Sequence, residues 1–192
     1  MKIFCATGNA GKLREFRLAG QVLGIDIEPL EGLKAIPAPE ETGATFEENA
    51  RLKAEYYSRF APALLFADDS GLEVDALGGE PGVYSARYAG EGATDEANNR
   101  LLLERLENAR DRNARFVCVI ALAEAGVVRK TFRGTVEGRI LREPRGPGGF
   151  GYDPLFYYPA FGSSFGEVHD ERKFNVSHRG NALRAMLKEL AG

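Results

Sequence analysis

Two adjacent carboxylates, Asp68 and Asp69, are the residues of this chain whose types and position first suggest chemistry. They follow an apolar run at residues 64–67, which has the length and composition of a short buried strand. Ser70 and Gly71 come next and indicate a turn. A strand that ends in two acids places negative charge at the sheet edge where α/β proteins bind ligands. We therefore expect a divalent metal, a lysine or a shared proton to balance the pair, although two solvated acids at a turn would give the same pattern.

A glycine-containing loop between a predicted strand at residues 2–6 and a predicted helix at residues 12–18 is a candidate anion site. Its residues are Thr7, Gly8, Asn9, Ala10, Gly11 and Lys12. Backbone N–H groups at the start of a helix attract anions, and the lysine adds a full positive charge. The loop is not a P-loop, because Leu13 follows the lysine where that motif has Ser or Thr. Taken alone, the loop is equally well interpreted as a plain turn.

Lys53 is the second basic candidate, and it belongs to a helix that is predicted to start at Thr45. Thr45 and Glu48 have the spacing of a capping box, which marks the first turn of a helix. Lys53 falls on the otherwise apolar face of this helix, one turn after Asn49. The stem of a lysine in such a position can be buried while its amine reaches either a cleft or solvent. The sequence leaves both interpretations open.

Two further acids, Glu40 and Glu41, precede the same helix in a proline-containing loop. They could meet Asp68 and Asp69 in space. Carboxylates with water form a typical site for magnesium, which is commonly completed by the phosphates of the substrate. A solvated acidic loop is the simpler interpretation of two neighbouring glutamates, so the pair alone does not predict a metal.

Two late segments contain residues that suit recognition of a flat, polar ligand. Phe150 lies between glycines in the segment 148–154, where its ring could stack on a base or anchor a long loop in the core. Lys173, His178 and Arg179 come shortly before and at the start of the last predicted helix. These cationic and imidazole groups could bind an anion or a carbonyl, or they could be solvated neighbours of a helix cap.

The order of predicted elements indicates the fold class. Strands are predicted at residues 2–6, 25–27, 64–67, 115–124 and 127–141, and helices at residues 12–18, from 45, at 95–106 and at 177–190. Strands and helices alternate early, and Ala125-Gly126 joins an antiparallel hairpin late. We therefore predict an α/β protein, with an elongated mixed β-sheet flanked by helices. Residues 1–192 would form one domain with two lobes around a cleft.

Composition and charge narrow the function classes. The chain has 192 residues, of which 44% are hydrophobic and 28% are charged, as in a soluble globular protein. Its net charge of −3 argues against a nucleic-acid polymer as partner. No run reaches membrane-spanning length, and the apolar part of the N-terminus is too short for a signal peptide. Cys5 and Cys118 lie in apolar runs, as expected in a reducing compartment, so we expect a cytoplasmic protein.

Together these segments resemble the inosine triphosphate pyrophosphatase family, the XTP/dITP diphosphatases that remove non-standard purine nucleoside triphosphates. The matching segments, in chain order, are residues 7–9 with Lys12, 41–43, 45–46, 49–50, Lys53, 67–72, 78–87, 149–154, Lys173 and 177–180. The resemblance therefore covers nearly the whole chain and keeps the motifs in register.

The resemblance implies a homodimer of elongated α/β subunits, each with a nucleotide-binding cleft between two lobes. It also implies Mg²⁺ and hydrolysis between the α and β phosphates of ITP, dITP or XTP, which gives a monophosphate and pyrophosphate. By position, Asp69 matches the family's general base, and Glu41 with Asp69 its metal ligands. The residues that match substrate-binding positions are Thr7, Gly8, Asn9, Ala10, Gly11, Lys12, Lys53, Ser70, Phe150, Gly151, Tyr152, Asp153, Lys173, His178 and Arg179.

The chemistry of the implied substrates agrees with these residue types. Hypoxanthine and xanthine carry a 6-oxo group and an N1–H, whereas adenine has the reverse donor pattern. Arg179 could donate to the 6-oxo group and Asp153 could accept from N1–H. A site of this kind rejects the wrong base strongly, because its own buried groups would be left unpaired.

Three other interpretations compete. The first is a septum-inhibitor-like pyrophosphatase of similar fold that acts on pyrimidine or modified nucleotides. The second is a nucleotide-binding regulator without catalysis, and the presence of Asp69, Glu41, Lys12 and Lys53 argues against it. In the third, every motif is only turn and cap chemistry, which would require many coincidences.

Overall fold

A computed structural model describes all residues from Met1 to Gly192, and it contains one mixed seven-stranded sheet. The strands are β1 (Lys2–Cys5), β2 (Asp26–Pro29), β3 (Leu65–Val74), β4 (Asn113–Glu124), β5 (Val127–Ile140), β6 (Phe156–Tyr158) and β7 (Ser163–Ser164). The helices are α1 (Ala10–Val22), α2 (Phe46–Tyr57), α3 (Asp95–Arg105), α4 (Asp170–Phe174) and α5 (His178–Ala191). The predicted fold class, a mixed sheet flanked by helices, is confirmed.

The sheet has a parallel part and an antiparallel part, in the order β2-β1-β3-β4-β5-β6-β7. β1 pairs in parallel with both β2 and β3, whereas all pairs from β3 to β7 are antiparallel. β4 and β5 form the predicted hairpin, with Ala125 and Gly126 at its turn in left-handed backbone conformations, φ 49° and φ 82°. This long hairpin supports β3, and β3 in turn contains the two acids.

The prediction of a turn at Ser70 and Gly71 is wrong, because β3 continues through both residues. Its ladder with β4 has ten pairs, from Leu65↔Ala123 to Val74↔Ala114. Gly71 is required for close packing and not for a turn, since a Cβ on it would collide with the side chain of Ser85. Asp68 and Asp69 therefore lie in the middle of a strand and not at its end.

The core has three parts that fix the faces of the sheet. α1 and α5 cover one face, in a cluster that includes Phe66 of β3. α2 covers the opposite face, in a cluster that includes Leu65 and Ala67. α3 packs with the far ends of β3, β4 and β5 in the third cluster. Because side chains alternate along a strand, neighbouring residues of β3 face different helices.

Local signals set the starts of α2 and α5 as predicted, whereas α1 begins at Ala10, two residues before its predicted start. The Oγ1 atom of Thr45 accepts a hydrogen bond from the backbone N–H of Glu48 at 3.1 Å, and the Oγ atom of Ser177 accepts one from Gly180 at 3.1 Å. Side-chain oxygens of this kind satisfy donors that the first turn of a helix leaves free.

None of the helices combines the length and apolar character that a bilayer crossing requires. Cys5 is buried and forms no disulfide, and the same holds for Cys118.

Candidate active site

A cavity of about 340 Å³ collects most of the predicted site residues. Those that line it are Thr7, Gly8, Asn9, Lys12, Glu41, Lys53, Ser70, Phe150, Gly151, Tyr152, Asp153, His178 and Arg179, together with Asp68. The remaining ones are Asp69, which is bonded to Lys53, Lys173, which is bonded to Asp153, and Ala10 with Gly11, which form the start of α1. A larger cavity of about 550 Å³, between α1, α4 and α5, holds none of them. The site is therefore one cleft.

Asp68 faces α1 and forms an ion pair there. The Nζ atom of Lys12 donates to its Oδ2 atom at 2.8 Å, and the hydroxyl of Ser70 donates to the same oxygen at 3.2 Å. Burial alone would raise the pKa of Asp68, but the positive charges of Lys12, Lys53 and Arg179 outweigh it and lower the pKa. Asp68 is thus a fixed negative charge that orients Lys12 at one wall of the cleft.

Asp69 points to the opposite face of the sheet, toward α2. Its Oδ1 atom lies 3.2 Å from the Nζ atom of Lys53, and its Oδ2 atom accepts a hydrogen bond from Asn49 at 3.4 Å. Here burial outweighs the opposing charges of Lys53 and Lys12, so the pKa of Asp69 is raised. The expected repulsion between the adjacent acids is thus relieved by separate lysines on separate faces. A carboxyl with a raised pKa suits a general base.

Glu41 meets Asp69 through a shared lysine. The Nζ atom of Lys53 lies 3.3 Å from the Oε2 atom of Glu41 and 3.2 Å from the Oδ1 atom of Asp69. The acidic loop therefore meets β3 as predicted, and Glu41 is the residue that does so. The structure contains no cluster of three or more His, Cys, Asp or Glu side chains that could hold a metal ion.

The loop before α1 has the features of an anion site. Asn9 caps the helix, since its Oδ1 atom accepts a hydrogen bond from the backbone N–H of Lys12 at 3.0 Å. The hydroxyl of Thr7 accepts one from the backbone N–H of Asn9 at 3.2 Å. Ala10 and Gly11 already belong to the first turn of α1, so the loop is shorter than predicted. Its backbone N–H groups and Lys12 lie at the same end of the cleft as Asp68.

A buried charge network forms the other end of the cleft. The Nζ atom of Lys173 donates to the Oδ2 atom of Asp153 at 3.0 Å and also contacts Glu15. The second oxygen of Glu15 accepts a hydrogen bond from Arg179 at 3.3 Å. Burial would lower the pKa of Lys173, but the carboxylates of Asp153 and Glu15 outweigh it and raise the pKa. Lys173 is therefore held in its charged form although all four groups of the network are buried.

Phe150 lies over this network. Its ring centroid is 5.1 Å from the Nζ atom of Lys173 and 4.8 Å from the guanidinium carbon of Arg179. Its backbone N–H donates to Asp153 at 3.0 Å. The ring is half-buried and lines the cleft, so Phe150 is not the core anchor of its loop. Tyr152 has that role: it is buried, and its hydroxyl donates to the carbonyl of Ser85 at 2.7 Å.

His178 is buried beside the network and stacks on Phe116, with ring centroids 4.8 Å apart. Burial, reinforced by the charges of Arg179 and Lys173, holds the pKa of His178 well below its ordinary value. The imidazole is therefore neutral. Its Nδ1 atom and the Nε atom of Arg179 have no hydrogen-bond partner in the protein. Buried polar atoms are normally paired, so these two are candidates for contact with a bound ligand.

The sequence reasoning missed Glu15, Ser85, Asp95 and Asn99. Glu15 occupies the buried side of α1 together with Phe16 and Ala19, so a charged residue inside an apolar stripe was the available signal. The other residues act through backbone groups of distant segments, and spacing along the chain contains no signal for such contacts.

Comparisons with known proteins agree with this geometry. A family model described as the Ham1 family matches residues 3–189. The dITP/XTP pyrophosphatase of Acidobacterium capsulatum is 51% identical over 201 residues, which covers 100% of this chain and 99% of that protein. A dITP/XTP pyrophosphatase of Thermus thermophilus is 52% identical over 190 residues, covering 98% of this chain and 91% of that protein.

Solved structures give the same result. A Ham1 protein of Staphylococcus aureus superposes with a TM-score of 0.88 at 44% identity, covering 100% of this chain and 99% of that one. A HAM1 protein of Coxiella burnetii gives a TM-score of 0.89 at 41% identity, covering 100% and 98%. The resemblance drawn from the motifs is thereby confirmed, and the chain belongs to the Ham1 family.

Proposed function

We propose that this protein is a nucleoside triphosphate pyrophosphatase that hydrolyses ITP, dITP and XTP to the monophosphate and pyrophosphate. The observation that carries the proposal is a single cleft with two chemically different ends. One end combines Lys12 and Lys53 with a carboxyl of raised pKa, Asp69. The other end offers an aromatic ring with buried cations. The names of the relatives from Acidobacterium capsulatum and Thermus thermophilus support the same reaction.

We call the end of the cleft that contains Lys12, Lys53, Glu41, Asp68 and Asp69 the phosphate end. Its acids fit magnesium. Glu41 and Asp69 direct hard carboxylate oxygens to one point, which Lys53 now contacts, and Mg²⁺ typically takes one or two carboxylates plus phosphate oxygens. Glu41 and Asp69 would hold the ion. When bound, Mg²⁺ neutralises charge on the triphosphate and polarises the bond that is cleaved.

The residues of the chain supply the remaining steps. Lys12 and Lys53 bind the triphosphate, together with the backbone N–H groups before α1. Asp69 accepts a proton from a water as that water attacks the α-phosphorus. The bond from the α-phosphorus to the bridging oxygen breaks, and the electron pair leaves with pyrophosphate. Asp68 takes no part in the proton transfer, because it lies on the face of β3 opposite to Asp69. Its ion pair with Lys12 keeps that lysine in place throughout.

We call the buried end of the cleft, with Phe150 and the network of Glu15, Asp153, Lys173 and Arg179, the base end. Base selection is assigned to this end. Arg179 donates to the 6-oxo group, with its free Nε–H and the unpaired Nδ1 atom of His178 as further polar contacts. Asp153 accepts from N1–H, and Phe150 stacks on the ring. Because Glu15 and Asp153 fix the cations before a nucleotide binds, the site does not have to reorganise for the correct base.

We further propose that the enzyme works in the cytoplasm as a homodimer and that its partner is a small purine nucleotide, with no nucleic-acid polymer and no membrane. The two free, buried cysteines suit a reducing compartment. Size-exclusion chromatography with light scattering will measure the oligomeric state.

The proposal is tested by pyrophosphate release from a panel of triphosphates. We expect ITP, dITP and XTP to react far faster than ATP, CTP and UTP, and we expect activity to vanish with a chelator and return with Mg²⁺. Preference for pyrimidine nucleotides would instead favour the septum-inhibitor-like enzyme. Tight binding of ITP without turnover would favour a regulator. Full activity in excess chelator would remove the metal from the proposal.

A further inference from the structure

Two polar residues of α3 form hydrogen bonds with the loop that contains Phe150. The backbone N–H of Gly151 donates to the Oδ2 atom of Asp95 at 2.8 Å. The Nδ2 atom of Asn99 donates to the carbonyl of the same glycine at 3.1 Å. Asp95 and Asn99 are four residues apart, so they share one face of the helix. One helix face therefore holds both backbone polar groups of a single loop residue.

The loop residue that both side chains bind is Gly151. Gly151 directly follows Phe150 and has a left-handed backbone conformation, φ 60°. The loop is also fixed at its base, where Gly148 donates to the carbonyl of Gly166 at 2.8 Å and Gly166 donates to that of Asp153 at 3.1 Å. The two bonds to Gly151 are thus a separate attachment. Asp95 holds the peptide group between Phe150 and Gly151, and Asn99 holds the next one, between Gly151 and Tyr152.

The orientation of the Asn99 amide suits the contact. Its Oδ1 atom is buried and has no partner, whereas its Nδ2 atom donates to Gly151. An unsatisfied buried acceptor costs stability. The amide thus directs its donor to the carbonyl of the loop and leaves its own oxygen without a protein partner.

α3 itself is a firm support. Asn98 is buried, and its side chain accepts a hydrogen bond from the backbone N–H of Ala89 at 2.8 Å and donates to the carbonyl of Ala86 at 3.1 Å. Leu102 and Leu106 hold the helix in the third core cluster. Asp95, in contrast, is exposed at the rim of the cleft, so its carboxylate has no part in the core.

We infer that Asp95 and Asn99 are positioning residues that set the direction of the Phe150 ring and thereby the affinity for the base. The inference rests on the proposed function of this loop in binding the nucleobase. The hydrogen bond from Gly151 to Asp95 is charge-assisted, which makes it the stronger of the two. Neither side chain contacts the lysines of the phosphate end, so the effect is confined to the base end.

Steady-state kinetics distinguish an effect at the base end of the cleft from an effect at the phosphate end. In Asp95→Ala we expect KM for ITP to rise about tenfold, and in Asn99→Ala about fivefold, the range for one charged and one neutral hydrogen bond. We expect kcat to change less than twofold and the inhibition constant of inorganic tripolyphosphate to stay unchanged. Glu96→Ala is the matched control, because Glu96 is the exposed neighbour of Asp95 and forms no hydrogen bond with the loop. Equal weakening of ITP and tripolyphosphate would overturn the inference.

A second readout is independent of activity. The chain has no tryptophan, so Phe150→Trp adds a single fluorescent reporter at the ring position. We expect Asp95→Ala in this background to increase quenching by acrylamide, and Glu96→Ala to leave it unchanged. Unchanged quenching in Asp95→Ala would overturn the inference even if ITP proves to be a substrate. Increased quenching would support it even if ITP proves not to be one.

If Phe150→Trp fails to fold, Asp95→Asn in the unchanged chain decides the matter. The amide oxygen can still accept from Gly151 but without charge, so we expect KM for ITP to rise by less than in Asp95→Ala. The same rise in both variants would contradict the hydrogen bond as the cause.

Discussion

The two ends of the cleft use similar residues in opposite ways. At the phosphate end, Lys12, Lys53 and Glu41 keep between 14% and 34% of their side-chain surface exposed. At the base end, the side chains of Glu15 and Lys173 are 0% and 2% exposed. Ion pairs occur at both ends, and Asp68 and Asp69 are buried as well, but only at the base end are the cations also enclosed.

Charge balance shows what the difference means. Two lysines face three carboxylates at the phosphate end, so this end has an excess of negative charge in the absence of other ions. At the base end, two cations face two carboxylates and the charges balance. A balanced, buried network is fixed before the ligand arrives. An unbalanced, accessible one is open to the cation that we propose for triphosphate binding.

The largest expected effect is on stability and comes from breaking the base end. Glu15→Ala leaves Lys173 and Arg179 buried without a shared counter-charge, so we expect the free energy of unfolding to fall by about 3–5 kcal/mol. Glu41→Ala at the phosphate end should cost less than about 1 kcal/mol, because its ion pair is partly exposed. Urea denaturation of both variants measures the contrast. Similar losses in the two variants would show that burial does not distinguish the ends.

The next largest effect is on turnover and comes from the phosphate end. Asp69→Asn keeps the shape of the side chain but removes the base, so we expect kcat for ITP to fall by ~10²-fold or more. Circular dichroism should show an intact fold. Glu73→Gln, in the same strand but outside the cleft, is the control and should turn over normally. Near-normal turnover in Asp69→Asn would remove Asp69 from the mechanism.

A smaller effect concerns selectivity and sharpens the role of the base end. If Arg179 donates to the 6-oxo group, Arg179→Ala should lower the ratio of kcat/KM for ITP to that for ATP by about tenfold to a hundredfold. Lys53→Ala should slow both nucleotides alike, because their phosphates are identical. An equal loss for ITP and ATP in Arg179→Ala would assign the arginine to phosphate binding or to structure.

The smallest effect is a pH shift within the phosphate end. The pKa of Asp69 is raised above its ordinary value of 3.8, so kcat/KM should fall as the pH drops through a value above 3.8. Lys53 and Lys12 lower this pKa, whereas Glu41 and Asp68 raise it. The acidic limb of the profile should therefore move to higher pH in Lys53→Ala and to lower pH in Glu41→Gln. Movement in the same direction in both variants would contradict Asp69 as the titrating group.

The sequence predicted the components of the site better than their arrangement. Lys53 and Asn49 were placed on one face of α2 by helical periodicity, and the structure brings both to Asp69. Ser70 and Gly71 were misassigned because a Ser-Gly pair usually marks a turn, whereas here the long ladder with β4 and the close approach of Ser85 determine the backbone. Local propensity contains no information on such tertiary contacts.

Glu15 shows a second kind of limit. A glutamate in an amphipathic helix is usually solvated, and its burial depends on Lys173 and Arg179, which lie near the other end of the chain. Only the position of Glu15 between buried apolar residues of α1 suggested an unusual environment. Recognising the network required knowledge of how α1, α4 and α5 come together.

The placement of Asp68 and Asp69 in the middle of β3 ties the chemistry to strand register. A slip of one residue would turn each acid to the opposite face and exchange their lysines. The ten residue pairs between β3 and β4 oppose such a slip, as does the parallel pairing of β3 with β1. A single-residue insertion or deletion within residues 65–67 should therefore abolish activity even where the chain still folds. The register of the sheet thus determines which face of β3 each acid points to and which lysine it binds.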